Sequence, residues 1–111
     1  MENQPAEPIV VFMTAASAEE AMRIADTLVH AKLAACVQVL PEMHSIYLWK
    51  GEVERAREVL LIAKTTKAKF AGLQSRLRAI HSYETPEIIA LPIVAGSEDY
   101  LKWLTGSLEG S

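Results

Sequence analysis

Cysteine is almost missing from this chain: Cys36 is the only one. A single thiol rules out an internal disulfide framework and paired-cysteine motifs such as Cys-x-x-Cys. Aromatic residues are sparse, at 6%. An RNA-recognition sheet needs several on its central strands, and Phe12 alone does not supply them. Neither sign of charge dominates. The net charge of −3 gives no electrostatic reason to bind nucleic acid or an anionic membrane. No apolar run approaches the length of a membrane span. Glycine-rich phosphate loops, serine-nucleophile motifs and zinc-protease motifs are all absent from the sequence. The first eight residues have neither the basic nor the apolar region of a secretory leader. The expectation is a cytoplasmic protein with no nucleic-acid or membrane partner, its thiol kept reduced.

What is present is half apolar and about a quarter charged, in 111 residues. That suffices for one domain with a real core and is too short for two. The stretch from Ala34 to Thr66 organises the rest. One arm runs through Cys36-Val37-Gln38-Val39-Leu40 and Ser45-Ile46-Tyr47-Leu48-Trp49. The other returns through Glu52 to Thr66, and Lys50-Gly51 lies between them. Alternation and β-branched residues predict two long antiparallel strands joined by a tight turn. An arm of roughly sixteen residues spans about 50 Å at ~3.3 Å per residue. A compact domain of this size is only about 35 Å across. The hairpin therefore overhangs its own domain, and apolar residues near its tip call for partner subunits.

The remaining elements read in order. Residues 1–7 are polar and are expected to be a flexible tail. Ile9 to Met13 suits a buried central strand. Ser17 with Glu20 forms a capping box for a first helix reaching about Lys32, with Ala21, Ile24, Ala25 and Leu28 on its buried stripe. Pro41 marks a bulge in the first long strand or the point where that strand leaves its first neighbour. Thr65 and Thr66 are cap candidates for a second helix carrying Phe70, Leu73, Leu77 and Ile80. Glu87 to Val94 forms a last strand, with Pro92 at an edge or bulge. Ser97 opens a short final helix, and residues 107–111 form a tail. The order β-α-β-β-α-β gives an α+β, ferredoxin-like domain over residues 8–106 with a long second hairpin. That fold names no function by itself.

Few residues could carry chemistry. Cys36 is either a small buried apolar residue or a soft metal ligand. His81 either caps a helix C-terminus or acts as a ligand or acid/base group. Lys64 ends an apolar run and needs an acid or a route to water; Glu84, Glu87 and Glu58 are the candidate partners.

Several segments, in this order and spacing, resemble the CutA proteins, a family named for divalent cation tolerance. They are Ala34-Ala35-Cys36-Val37, Ser45 through Gly51, Lys64-Thr65, His81-Ser-Tyr-Glu-Thr-Pro-Glu-Ile88, and Tyr100-Leu101-x-Trp103. The resemblance covers nearly all of residues 9–104. It implies a tight homotrimer with hairpins wrapped between subunits, similar in architecture to PII signalling proteins. It implies copper or other divalent-metal binding and a role in metal tolerance. The motif places the metal ligands at Cys36 and His81, and polar cleft positions at Trp49, Lys64, Tyr83 and Glu84. Ser82, Gln38 and Glu42 depart from the usual family residues.

The expectation is a non-enzymatic trimer holding an exchangeable divalent metal, copper first, at Cys36 and His81. Water or a carboxylate such as Glu84 or Glu87 would complete the site. The alternative is a PII-like signalling module binding a small anionic metabolite between subunits through Lys64 and Arg55 or Arg57. A third reading uses Tyr83, Glu84 and Lys64 as proton-transfer groups.

Overall fold

The computed structural model describes residues 6–109. Most of the expected N-terminal tail and the last two residues lie outside that range. Strand β1 spans Pro8–Ala15, helix α1 Ala18–His30, strand β2 Cys36–Trp49 and strand β3 Glu52–Thr66. A 3₁₀ turn over Lys67–Lys69 leads into helix α2, Phe70–Ile80. Strand β4 covers Ile88–Pro92 and helix α3 Glu98–Ser107. The four strands form one antiparallel sheet in the order β2-β3-β1-β4. This is the expected ferredoxin-like α+β arrangement.

Alternation sorts the sheet into two faces. Ile9, Val11, Met13 and Ala15 of β1 join Val59, Leu61 and Ala63 of β3 in the core. Ala21, Ile24 and Leu28 of α1, with Leu73 and Leu77 of α2, close it. Helix α3 lies on β3 and β1 outside that cluster, burying Leu104 and Leu108. The other face carries Val10, Phe12, Leu60 and Ile62, and its Leu40, Ile89 and Leu91 stay exposed.

The hairpin overhangs as its length requires: the subunit measures 48 × 26 × 25 Å. At its tip Trp49 pairs with Glu52, and Lys50 and Gly51 both take positive φ, 50° and 83°. That is the conformation of a two-residue turn matched to strand twist. Pro41 and Glu42 form a bulge between the pairs Leu40↔Leu60 and Met43↔Glu58. Glu42 adopts φ 55° there. The extra residue changes parity, so Met43, Ser45, Tyr47 and Trp49 continue the face begun by Cys36, Gln38 and Leu40.

Three boundaries differ from expectation. Thr65 and Thr66 do not cap α2. They remain in β3, where Thr66 pairs with Pro8, and the Thr65 hydroxyl donates to the Leu33 carbonyl at 2.7 Å. Ladder hydrogen bonds outcompete a helix cap at this point. The last strand stops at Pro92, on the sheet edge, two residues short of Val94. At the C-terminus, Ser107 is still helical and Leu108 is buried.

The core assignment predicts a contrast in stability. Leu61→Ala empties a fully buried site on a central strand and should lower unfolding free energy by about 2–5 kcal/mol. Val94→Ala, at a position 92% exposed, should change it by less than about 0.5 kcal/mol. Urea denaturation of both variants checks the pair.

Candidate functional site

The first helix builds one end of the site through its cap. The Ser17 hydroxyl accepts from the Glu20 amide at 3.1 Å, so the expected box forms in part. The Glu20 carboxylate does not return to its own cap residue. It accepts from the Ala16 amide at 3.3 Å, the Ser82 amide at 2.7 Å and the Ser82 hydroxyl at 3.0 Å. Glu20 is only 5% exposed. Burial alone would raise its carboxyl; the two Ser82 donors and the Ala16 amide outweigh that and hold it below the ordinary carboxylate value. The sequence carried a signal for this: Glu20 falls on the stripe of Ile24 and Leu28, where a charge needs buried partners.

His81 follows α2 with an extended backbone, and its side chain is fully buried. Its Nε2–H donates to the Thr14 carbonyl at 2.7 Å, and its Nδ1 accepts from the Tyr83 amide at 2.9 Å. A carbonyl can only accept, so the proton sits on Nε2. Both ring nitrogens are thus engaged within the fold. Cys36 lies elsewhere. It pairs with Lys64, which pairs in turn with Val10. The level of Val10 is four residues from Thr14, about 13 Å along the strand, and Cys36 is two strands to the side. One chain does not bring Cys36 and His81 together.

Lys64 also stands apart. Its ammonium donates to the Gln38 side-chain carbonyl across β2 and β3. The sheet order places β1 between β3 and β4, which separates Lys64 from the expected Glu84 and Glu87. Glu58 is six residues away on the same strand, about 20 Å.

Trp49, Tyr83, Glu84 and Glu87 do come together. They line a cleft of about 760 Å³ between the near-tip half of the hairpin and the loop after α2. Ser45, Ile46, Tyr47, Glu54 and Glu58 complete the hairpin wall, and Thr14 also lines the cleft. The Tyr83 hydroxyl donates to Glu58 at 2.9 Å. Burial and then Glu58 push that hydroxyl up to about 12. Burial first, and then the charge of Glu58, raise the Glu87 carboxyl as well. Four carboxylates line the cleft, with no Lys or Arg among the described residues. Among those residues no three His, Cys, Asp or Glu side chains converge as a metal cage. Glu54 joined this site unannounced, and Glu58 entered it as the partner of Tyr83 rather than of Lys64; their alternation with Ala56 on β3 was the available signal.

The family model for CutA1, the divalent ion tolerance protein, matches residues 9–107. This chain belongs to the CutA1 family. The divalent-cation tolerance protein CutA of Thermus thermophilus is 50% identical over 95 residues, covering 86% of this chain and 92% of that one. A solved structure of the divalent cation tolerance protein from Thermus thermophilus superposes with a TM-score of 0.89 at 47% identity, over 90% of this chain and 97% of that one. The chloroplastic CutA of Arabidopsis thaliana is 43% identical over 99 residues, 89% of this chain but 54% of that protein. A structure of the periplasmic divalent cation tolerance protein CutA of Archaeoglobus fulgidus gives a TM-score of 0.89 at 41% identity, over 92% and 99% of the two chains. The resemblance read from the motifs therefore holds along nearly the whole domain.

The Glu20 knot generates a pH prediction. A carboxyl whose native value is depressed stabilises the fold above its unfolded value, near 4.5. That contribution is lost as pH falls through the lower native value. Glu20→Gln should cost about 2–4 kcal/mol at pH 7, because the Ser82 and Ala16 donors lose their charged acceptor. The gap from the unsubstituted protein should shrink below pH about 4.5. Urea melts at pH 7 and pH 3 measure it.

Proposed function

We propose that this chain is a trimeric, non-catalytic, cytoplasmic protein of metal tolerance that binds divalent cations exchangeably in the acidic cleft, copper(II) first. The observation that carries this reading is the concentration of Glu54, Glu58, Glu84 and Glu87 on one cleft with no cationic lining residue among those described. The raised Glu87 carboxyl points the same way: burial and Glu58 disfavour its charge, and a bound cation would relieve both costs. The names of the relatives, divalent-cation tolerance proteins, agree with it.

The donor set fits a loosely held ion. One or two carboxylates with water complete an exchangeable site, whereas a structural site wants four protein ligands. Copper(II) heads the affinity order for almost any oxygen, nitrogen or sulfur donor set. The pair Cys36 and His81 is a poorer match, since the His81 nitrogens serve the fold. Cys36 remains a free thiol on the sheet face, suited to a reducing compartment. A hydroxyl held near 12 makes Tyr83 a poor proton donor at neutral pH, which supports binding rather than catalysis. Nothing in the lining favours an anionic metabolite.

Trimer formation is supported by unmet burial. The hairpin extends the subunit to 48 Å. Ile46, Leu48 and Val53 near its tip are 62%, 72% and 62% exposed, and Leu40, Ile89 and Leu91 lie bare on the sheet. Sedimentation equilibrium at micromolar concentration should return three times the chain mass. A stable, soluble monomer would overturn this part.

Copper(II) calorimetry tests the site. Glu58→Gln and Glu87→Gln should each weaken the tightest step by about tenfold, the loss of roughly one charged contact. Cys36→Ser should leave it unchanged. Loss in Cys36→Ser alone would move the site to the thiol.

A further inference from the structure

Charge is unevenly placed along the chain. Val59 to Tyr83 contains no Asp or Glu, although the chain has 14 of them. The same stretch holds Lys64, Lys67, Lys69, Arg76 and Arg78, out of 11 Lys and Arg in all. Lys64 belongs to the sheet, where it donates to Gln38. The other four fall on α2 and on the 3₁₀ turn that opens it. This helix carries cations and no anion.

Helical geometry turns these cations outward. Leu73 and Leu77 are fully buried in the core beneath α2, so the opposite side of the helix faces solvent. At 3.6 residues per turn, Lys69 and Arg76 lie on one flank of that outer side and Arg78 on the other. Arg76 and Arg78 are exposed. The residues between the flanks, Ala71, Ser75 and Ala79, are short, so the charged groups stand highest on the surface. The face is on the helix side of the sheet, away from Leu40, Ile89 and Leu91 on the other side.

The subunit does not neutralise these charges. Among the described residues the ion pairs are Arg57–Glu42, Lys67–Glu7, His81–Glu20 and Lys102–Glu98. Lys69, Arg76 and Arg78 join none of them. Lys67 and Lys69 also stand near the end of α2 where the helix dipole disfavours cations, and the first turn has no acid to offset them.

We propose that the outer face of α2 docks an acidic segment of another protein. Charge complementarity sets the sign of the partner, and extent sets its class. The helix has 11 residues, about 16 Å at ~1.5 Å per residue. Removing its four cations from the net charge of −3 leaves −7 for the rest of the chain. A long nucleic acid or a flat anionic membrane would run past the helix and meet that negative charge. A short run of Asp and Glu stays within the basic face. Arginine suits the contact, because its planar guanidinium takes a carboxylate through paired hydrogen bonds.

The test follows the fluorescence anisotropy of a labelled short polyglutamate peptide titrated with the full chain at physiological salt. Saturable binding is expected. Arg76→Glu with Arg78→Glu should weaken it by about tenfold or more, since each change sets like charges against one another. Lys50→Glu with Lys102→Glu alters net charge equally, away from α2, and should weaken it by less than about twofold. Arg76→Gln with Arg78→Gln replaces the charge reversal should that variant fail to fold. Single-stranded DNA of matched charge and vesicles containing phosphatidylserine are titrated in parallel. Equal losses in the two charge-reversed pairs would mean diffuse attraction and overturn the proposal. Absence of peptide binding would overturn it too, as would tighter binding of the DNA or the vesicles than of the peptide.

Discussion

The carboxylate of Glu20 joins three parts of the chain that have no other reason to meet. It closes the start of α1 through Ala16, anchors the loop after α2 through both donors of Ser82, and stands 3.7 Å from Nδ1 of His81. A buried charge is tolerated only when its acceptor capacity is filled, and here backbone and hydroxyl donors fill it. The loop therefore has one favourable position. From that position His81 receives the Tyr83 amide, and Tyr83 reaches Glu58 on the hairpin. The cleft wall is set from the core outward, through a chain of hydrogen bonds that begins at a helix cap.

The opposite wall depends on backbone geometry. Without the bulge at Pro41 and Glu42, alternation along β2 would carry Tyr47 and Trp49 to the face away from Glu58. The two strands would then present aromatics on one side and carboxylates on the other. The extra residue restores the match, so Tyr47 stands beside Glu54 and Met43 beside Glu58 on a common face. Glu42 also pairs with Arg57 at 3.2 Å. That exposed pair adds little energy. It does occupy a cation on the far face of the hairpin, away from the acidic one.

The fold was legible because its signals are local and periodic. Alternation marked the hairpin, Lys50-Gly51 the turn, Pro41 the bulge, and the spacing of Ala21, Ile24 and Leu28 the buried side of α1. Thr65 and Thr66 misled because a hydroxyl before a helix looks the same whether or not its backbone is still paired in a ladder. The site was legible only in part. Trp49, Tyr83 and Glu84, cleft positions that the resemblance implied, line one cleft, and Glu87 joins them. Lys64 did not join them, because chain order says nothing about which strand lies between β3 and β4, and β1 does. His81 was singled out as a ligand or a cap, but its type does not reveal whether its nitrogens face a ligand or the backbone. Only the partners Thr14 and Tyr83 decide that.

The charge balance of the site follows from the same geometry. Glu58 accepts the Tyr83 hydroxyl in a hydrogen bond, and burial first, then the nearness of Glu58, pushes the Glu87 carboxyl up. Two carboxylates competing in this way hold electrostatic free energy that any cation entering between them releases.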